Sequence, residues 1–298
     1  MLKYWLTMLS KIQANIDAFL DHLGKEKGYS QNTLLAYAGD LNQLVDYAES
    51  TVTPETNETL RLDAKLLAGY LHSLKDKGYK SSTIARKVAA AKSFITFLVE
   101  RGELRDDLTP VLVSPKVKKP TPSPLSPSDL RNLLAEPGKL PTPEAKRDSA
   151  MLELLCATGL RASELMALDV KDVNLKKNFI RCRGRGSKIR IIPIDDRVAK
   201  IVKDYCDNAR TQLINDEKET ALFVNRRGER LTRQGFWQIV QNYANKAGLN
   251  VKVTPRSIRH SFAVQKLRSG ADLQSVKELL GHAHVSTTKA YAQLRLTK

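Results

Sequence analysis

The sequence predicts a mainly α-helical chain with a small β-sheet, arranged as an N-terminal helical bundle followed by a mixed α/β domain. Three observations carry this. Apolar residues recur at helical spacing through the front third, a proline-rich stretch then breaks the pattern, and strand chemistry appears in one place in the second half. The chain has 298 residues, 42% of them hydrophobic, which is enough for two cores of ordinary size.

The elements follow in order. Leu34, Tyr37, Leu41, Leu44 and Ala48 share one helix face after Ser30, a suitable N-cap; Ile84, Val88, Ala91, Ile95 and Leu98 do the same after Ser81 and Ser82. Helices around 11–23 and 63–77 complete a four-helix unit, which places the first domain at 1–105. From Asp106 to Pro127 the run DDLTPVLVSPKVKKPTPSPLSP holds six prolines and three lysines. Proline removes a backbone donor and disfavours helix in the residue before it, so 106–125 reads as an extended linker.

Residues 126–298 form the second domain. A helix begins over Leu130–Leu134, and Ala150–Ala157 is apolar on nearly every face, as a central core helix should be. Phe179–Arg181 and Ile189–Ile192 flank Gly184 and Gly186, the pattern of a β-hairpin with a basic tip. Helices resume at Val198–Tyr205, Phe236–Ala247, Pro255–Leu267 and Leu273–Leu280, with a short one carrying Tyr291 that Ser286 or Thr287 could cap.

Lys and Arg number 49 against 32 Asp and Glu, a formal charge of +17. No single tail carries the excess, so it is spread over folded surface and points to a polyanionic partner, DNA or RNA ahead of an anionic membrane. Cys156, Cys182 and Cys206 lie far apart without metal-ligand spacing. Neither a disulfide framework nor a zinc site is expected. The longest apolar runs are far short of a membrane span, and the first residues lack the pattern of a signal peptide; a cytoplasmic protein with no membrane partner is expected.

Four segments stand out: ATGLRASEL (157–165), RGRGSKIRIIPI (183–194), TPRSIRHSFA (254–263) and LLGHAHVSTTKAYA (279–292). In this order and spacing they resemble the signature of the tyrosine recombinase/phage integrase family, closest to its Xer-like branch. The resemblance extends to the front unit, where residues 30–41 are similar to the family's SAM-like core-binding domain. It implies a tyrosine recombinase catalytic domain that breaks and rejoins duplex DNA through a 3′-phosphotyrosyl link, without ATP, metal or other cofactor. It also implies a homo-tetramer, or related recombinase subunits, working on two DNA sites.

The chemistry fits these residue types. Attack on a phosphodiester gathers charge on the non-bridging oxygens, and an arginine fork binds two such oxygens while staying charged at any working pH. Arg161 and Arg259 match the family's two phosphate-clamping arginines. His282 follows Gly281 at a helix end and matches the histidine that contacts the scissile phosphate and assists proton transfer. Tyr291, nine residues further on, matches the nucleophile, and the ester it forms conserves the bond energy for rejoining. Neighbouring arginines are expected to favour its phenolate. Glu164 would orient the arginines or form a plain surface ion pair; His260 reads as structural and His284 as surface.

Two positions depart from the family. The hairpin lysine that protonates the leaving 5′-oxygen is replaced by Arg185, a poor proton donor. Lys188 could supply that proton, or Arg185 could act electrostatically while water delivers it. Arg256 stands where the family has a histidine and would add a phosphate donor from the same helix face as Arg259. These departures keep open a catalytically weak DNA-binding relative with a regulatory or architectural role. A type IB topoisomerase shares the tyrosine chemistry, and the short Xer-like arrangement argues against it.

Overall fold

The computed structural model describes residues 2–51, 62–117, 123–184, 189–282 and 284–295. The chain divides into two compact units, Met1–Lys119 and Pro120–Lys298.

The first unit is built from α1 (Leu2–Lys25), α2 (Gln31–Thr51), α3 (Ala64–Asp76) and α4 (Ser81–Glu100). Ile16, Phe19 and Leu23 of α1 pack with Leu41 of α2 and with Phe94, Phe97 and Leu98 of α4. A second cluster joins Leu44 to Leu67, Tyr70 and Leu74 of α3 and to Ile84, Val88, Ala91 and Ile95 of α4. The helical stripes read from the sequence therefore face these cores. One correction concerns a cap: α4 starts at Ser81 itself, with Lys80 at the cap position and no side-chain cap bond. Asp40 lies on the apolar stripe of α2 and is buried with it. Lys87 donates to its carboxylate at 2.9 Å and Arg86 also donates to it, which supplies the partners a buried charge requires.

The second unit is organised around α6 (Pro143–Thr158), preceded by α5 (Pro127–Ala135). Thr142 caps α6, accepting from the Ala145 amide at 3.2 Å, and Pro143 opens it without the loss of a helical bond. Ala150, Met151, Leu152, Leu154 and Leu155 are all fully buried, so the helix is surrounded by protein. After the short α7 (Ala162–Met166) the chain makes β1 (Val173–Asn174), β2 (Phe179–Arg183) and β3 (Ile189–Pro193), an antiparallel sheet in the order β1-β2-β3. The expected hairpin is thus two strands of three. The first strand has two residues, too short to show alternation.

α8 (Asp196–Asp204) continues through a π-helical turn, Tyr205–Arg210, into α9 (Thr211–Leu213). Then come α10 (Arg233–Lys246), α11 (Pro255–Arg268), α12 (Leu273–Leu280) and α13 (Val285–Arg295). α13 begins at Val285, which places Ser286 and Thr287 within its first turn and not ahead of it. A separate apolar cluster of Phe262, Ala263, Val264 and Leu267 from α11, Val276 and Leu280 from α12, and Tyr291 from α13 ties the last three helices together. Among the described residues no helix is long and apolar enough to cross a membrane.

Candidate active site

Two helices end where the functional side chains meet, and each ends on a glycine in the left-handed conformation. Gly159 closes α6 at φ +59° and Gly281 closes α12 at φ +63°. Such an ending turns the chain sharply and leaves the last carbonyls pointing outward without helical partners. Arginines fill that vacancy. Arg259 donates to the carbonyls of Gly159 and Leu280, each at 2.6 Å, and Arg161 donates to the Gly281 carbonyl at 2.8 Å. Cationic side chains at the negative ends of two helix dipoles are favourable, and the contacts fix both guanidinium planes.

Glu164 is the anion of the site. Only 8% exposed, it accepts the Arg161 backbone amide and Nη1, each at 2.7 Å, and a two-pronged bond from Arg190 at 3.0 and 2.8 Å. Arg259 Nη1 approaches it to 3.8 Å. Burial would raise its carboxyl pKa, but the bonds from Arg190 and Arg161 outweigh that and hold it below the usual carboxylate range. Glu164 is therefore no plain surface ion pair: one carboxylate gathers three arginines, and the surplus of positive charge stays in the site.

His282 follows Gly281 directly. Its Nε2 lies 3.0 Å from Arg259 Nη2 and its Nδ1 3.0 Å from the hydroxyl of fully buried Thr288. A guanidinium can only donate, so Nε2 must accept; the proton then sits on Nδ1 and is given to Thr288. Burial, reinforced by Arg259, Arg161 and Arg190, pushes the imidazole down to about 4. It is neutral at physiological pH.

Tyr291 is 4% exposed, its ring stacked on that of His282 at 6.3 Å and meeting His260 edge-on at 5.3 Å. Burial raises the phenol pKa, and the opposing pull of Arg259, Arg256 and Arg161 is too weak to cancel it. The arginines do favour the phenolate, as expected, but desolvation outweighs them and the net shift favours the neutral phenol. Arg256 is exposed, on the face that directs its charge at Tyr291, and its Nε lies 3.4 Å from His260 Nε2. His260 is buried, with Nδ1 3.3 Å from the Ser123 amide; a neutral ring has one lone pair and can serve one of these two donors at a time. His284 is exposed, as expected. Arg185 and Lys188 lie outside the described residues.

The arrangement thus brings together Arg161, Glu164, Arg256, Arg259, His282 and Tyr291 from three of the four segments. A model of the phage integrase family matches residues 124–297, and one of the phage integrase N-terminal SAM-like domain matches residues 16–102. The chain belongs to the phage integrase family of tyrosine recombinases. It is 44% identical over 281 residues to the tyrosine recombinase XerC of Roseiflexus sp. (strain RS-1), covering 94% of this chain and 88% of that protein. To the tyrosine recombinase XerD of Oceanobacillus iheyensis it is 40% identical, covering 94% and 93%. The fold is also similar to the crystal structure of the XerH site-specific recombinase bound to palindromic difH substrate. There the TM-score is 0.73 at 22% identity, covering 91% of this chain and 78% of that one.

Two contributors in this recombinase escaped the sequence reading. Arg190 sits on β3 in the same inward register as buried Ile192, and an arginine at an inward strand position is a signal of a buried ion pair. Thr288 lies one helical turn before Tyr291, on its face. Among the described residues no group of three or more His, Cys, Asp or Glu side chains could hold a metal ion.

The two depressed histidines give a pH dependence. His260, lowered first by burial and then by Arg256 and Arg259, also falls to about 4. Between the ordinary 6.5 and about 4 the unfolded chain takes up protons that the folded chain refuses. Stability is therefore full above that window and is lost as pH drops through it. The urea midpoint is expected to fall over this range, with both ring signals in NMR still those of neutral imidazole at about pH 5. A ring that titrates near its ordinary value would show that the site is open to water.

Proposed function

We propose that this chain is a site-specific recombinase that breaks and rejoins duplex DNA through a 3′-phosphotyrosyl intermediate on Tyr291. The observation that carries this is the convergence of Tyr291, His282 and two helix-anchored arginines on one site with a surplus of positive charge. Arg161, the more open of the pair, and Arg259 would bind the non-bridging oxygens of the scissile phosphate and stabilise the charge that grows there during attack. Arg256 would add a donor from the solvent side. Tyr291 Oη forms a bond to phosphorus as the bond to the 5′-oxygen breaks, and the phenol proton passes to Nε2 of His282, the one ring nitrogen with a lone pair, once Arg259 turns from it to the phosphate. The 5′-oxygen leaves with a proton from Lys188, Arg185 assisting electrostatically. Attack by a 5′-hydroxyl reverses the step, so no ATP is consumed.

The same reading assigns 1–105 as the core-binding domain, 106–125 as the linker and 126–298 as the catalytic domain; the boundary between compact units at Lys119 and Pro120 falls inside that linker. The +17 charge would supply most of the DNA affinity through phosphates, with steep salt dependence. A homo-tetramer, or a tetramer with related subunits, acting on two duplexes in the cytoplasm completes the proposal.

Covalent trapping tests it. The protein is incubated with end-labelled duplex nicked within a candidate site, with EDTA present, and the SDS-resistant adduct is digested. The expected result is a DNA-linked peptide containing Tyr291. A link to another residue, an adduct that needs a divalent cation, or tight duplex binding with no adduct on any site that the protein protects would refute the reading.

A further inference from the structure

Like Arg259, Arg190 makes three side-chain hydrogen bonds to its surroundings in the site. Its Nη1 and Nη2 donate to the two oxygens of Glu164, and its Nε donates to the Leu279 carbonyl at 3.0 Å. Burial would lower its pKa, but the Glu164 bond outweighs that and leaves it raised. Its side chain is 14% exposed, against 39% for Arg161. The three bonds of Arg259 all come from Nη1 and Nη2, whereas Arg190 commits its Nε as well as both Nη groups to protein and so offers no edge to a phosphate.

What it touches is the framework of those that do. Glu164 holds Arg161 at both backbone and side chain. Leu279 belongs to the last turn of α12, whose next residues supply the carbonyl of Leu280 to Arg259, the carbonyl of Gly281 to Arg161, and then His282. A Cβ built on Gly281 would lie 2.8 Å from Arg190 Nη1, so the guanidinium packs directly against the turn that presents the histidine. Two segments distant in sequence, that of Glu164 and the end of α12, are thus pinned to one side chain.

We infer that Arg190 is a positioning residue for strand cleavage: by fixing the Glu164 carboxylate and the end of α12, it sets where Arg161 and His282 meet the scissile phosphate. The inference rests on the cleavage reading above and adds a residue that acts through others. Because Arg190 reaches no DNA, its loss should leave duplex affinity unchanged and act on the cleavage step alone. Misplacement of reacting groups by about 1 Å costs on the order of 100-fold in rate.

The test compares wild type, Arg190→Met, Arg190→Lys, Glu164→Gln and the Arg190→Met/Glu164→Gln double variant in single-turnover adduct formation on nicked duplex, with affinity measured separately. Arg190→Met is expected to slow adduct formation about 100-fold at unchanged affinity. Lysine should not rescue it, since an ammonium cannot bridge both carboxylate oxygens, and the double variant should be no slower than Arg190→Met alone. A rate within about threefold of wild type, or a loss explained by weaker binding, overturns the inference.

NMR of the full chain with labelled arginine and histidine provides an arm independent of turnover. Displaced Arg161 Nε–H and His282 ring signals in folded Arg190→Met support the positioning role, and unmoved signals overturn it. Tyr291→Phe in the same assay isolates the other claim: a wild-type adduct that survives this change, or no wild-type adduct at all, refutes tyrosine cleavage while the NMR arm still judges Arg190.

Discussion

Arg259→Ala is expected to slow covalent adduct formation by on the order of 10³-fold, the upper end of what removing one preorganised donor to a developing oxyanion costs. Arg259 is 6% exposed and holds three partners at once: the carbonyls of Gly159 and Leu280 and the Nε2 of His282. Burial, with the charge of Arg161 adding to it, lowers its pKa to about 10, which still leaves it charged at neutral pH. The substitution removes the charge proposed to face the phosphate and also frees the imidazole, so two groups are lost together. Arg259→Lys should recover little, because one ammonium cannot span both helix ends and the histidine. The measurement is the single-turnover rate at saturating protein, taken well below the thermal midpoint, since each carbonyl left unpaired costs about 1–3 kcal/mol. A loss under about tenfold would place Arg259 outside the transition state.

The largest effect on stability is expected at Gly159→Ala. Its φ of +59° costs an L-residue about 1–2 kcal/mol, and the added Cβ would sit 2.3 Å from the ring of Phe262, which is 2% exposed and packed in the cluster that holds Tyr291. Forcing that ring aside adds about 1–3 kcal/mol of overpacking, for a total near 2–5 kcal/mol. Gly248→Ala is the control within the same unit. It has φ +63° with nothing within 4 Å of the added Cβ, so only the conformational cost of about 1–2 kcal/mol applies. Urea unfolding of both variants separates the two terms. Equal losses would mean that Phe262 yields freely. Because the Gly159 carbonyl also receives Arg259, the folded fraction of Gly159→Ala should cleave slowly as well.

The local signals in the sequence describe much of this chain, each for a local reason. The stripes Leu41–Leu44–Ala48 and Val88–Ala91–Ile95 follow from a 3.6-residue period that depends only on neighbours three and four positions away, and both stripes are buried in the first unit. The proline run marks the break because proline acts on its own backbone and that of the residue before it. The four motifs named the family, and the spacing of Gly281, His282 and Tyr291 put the imidazole and the phenol on one site.

What the sequence left open depends on partners far apart along the chain. Glu164 read equally as an orienting carboxylate or a surface ion pair; Arg190, 26 positions later, and the carbonyls at the end of α12 make it the centre of the site. The sequence showed arginines that favour the phenolate of Tyr291, because charge is visible there and desolvation is not; burial among Phe262, Leu280 and His260 outweighs them and sets the sign of the shift. Asp40, on the apolar stripe of its helix, is buried for the same reason, beside Lys87 and Arg86 from α4. The sequence by itself determined the fold class, the types of the main elements and the family, since these are set by residue chemistry and short-range spacing. The tertiary structure decided which charges are paired, which are buried and which proton each ring carries, because those depend on the dielectric and donors that distant segments bring to one place.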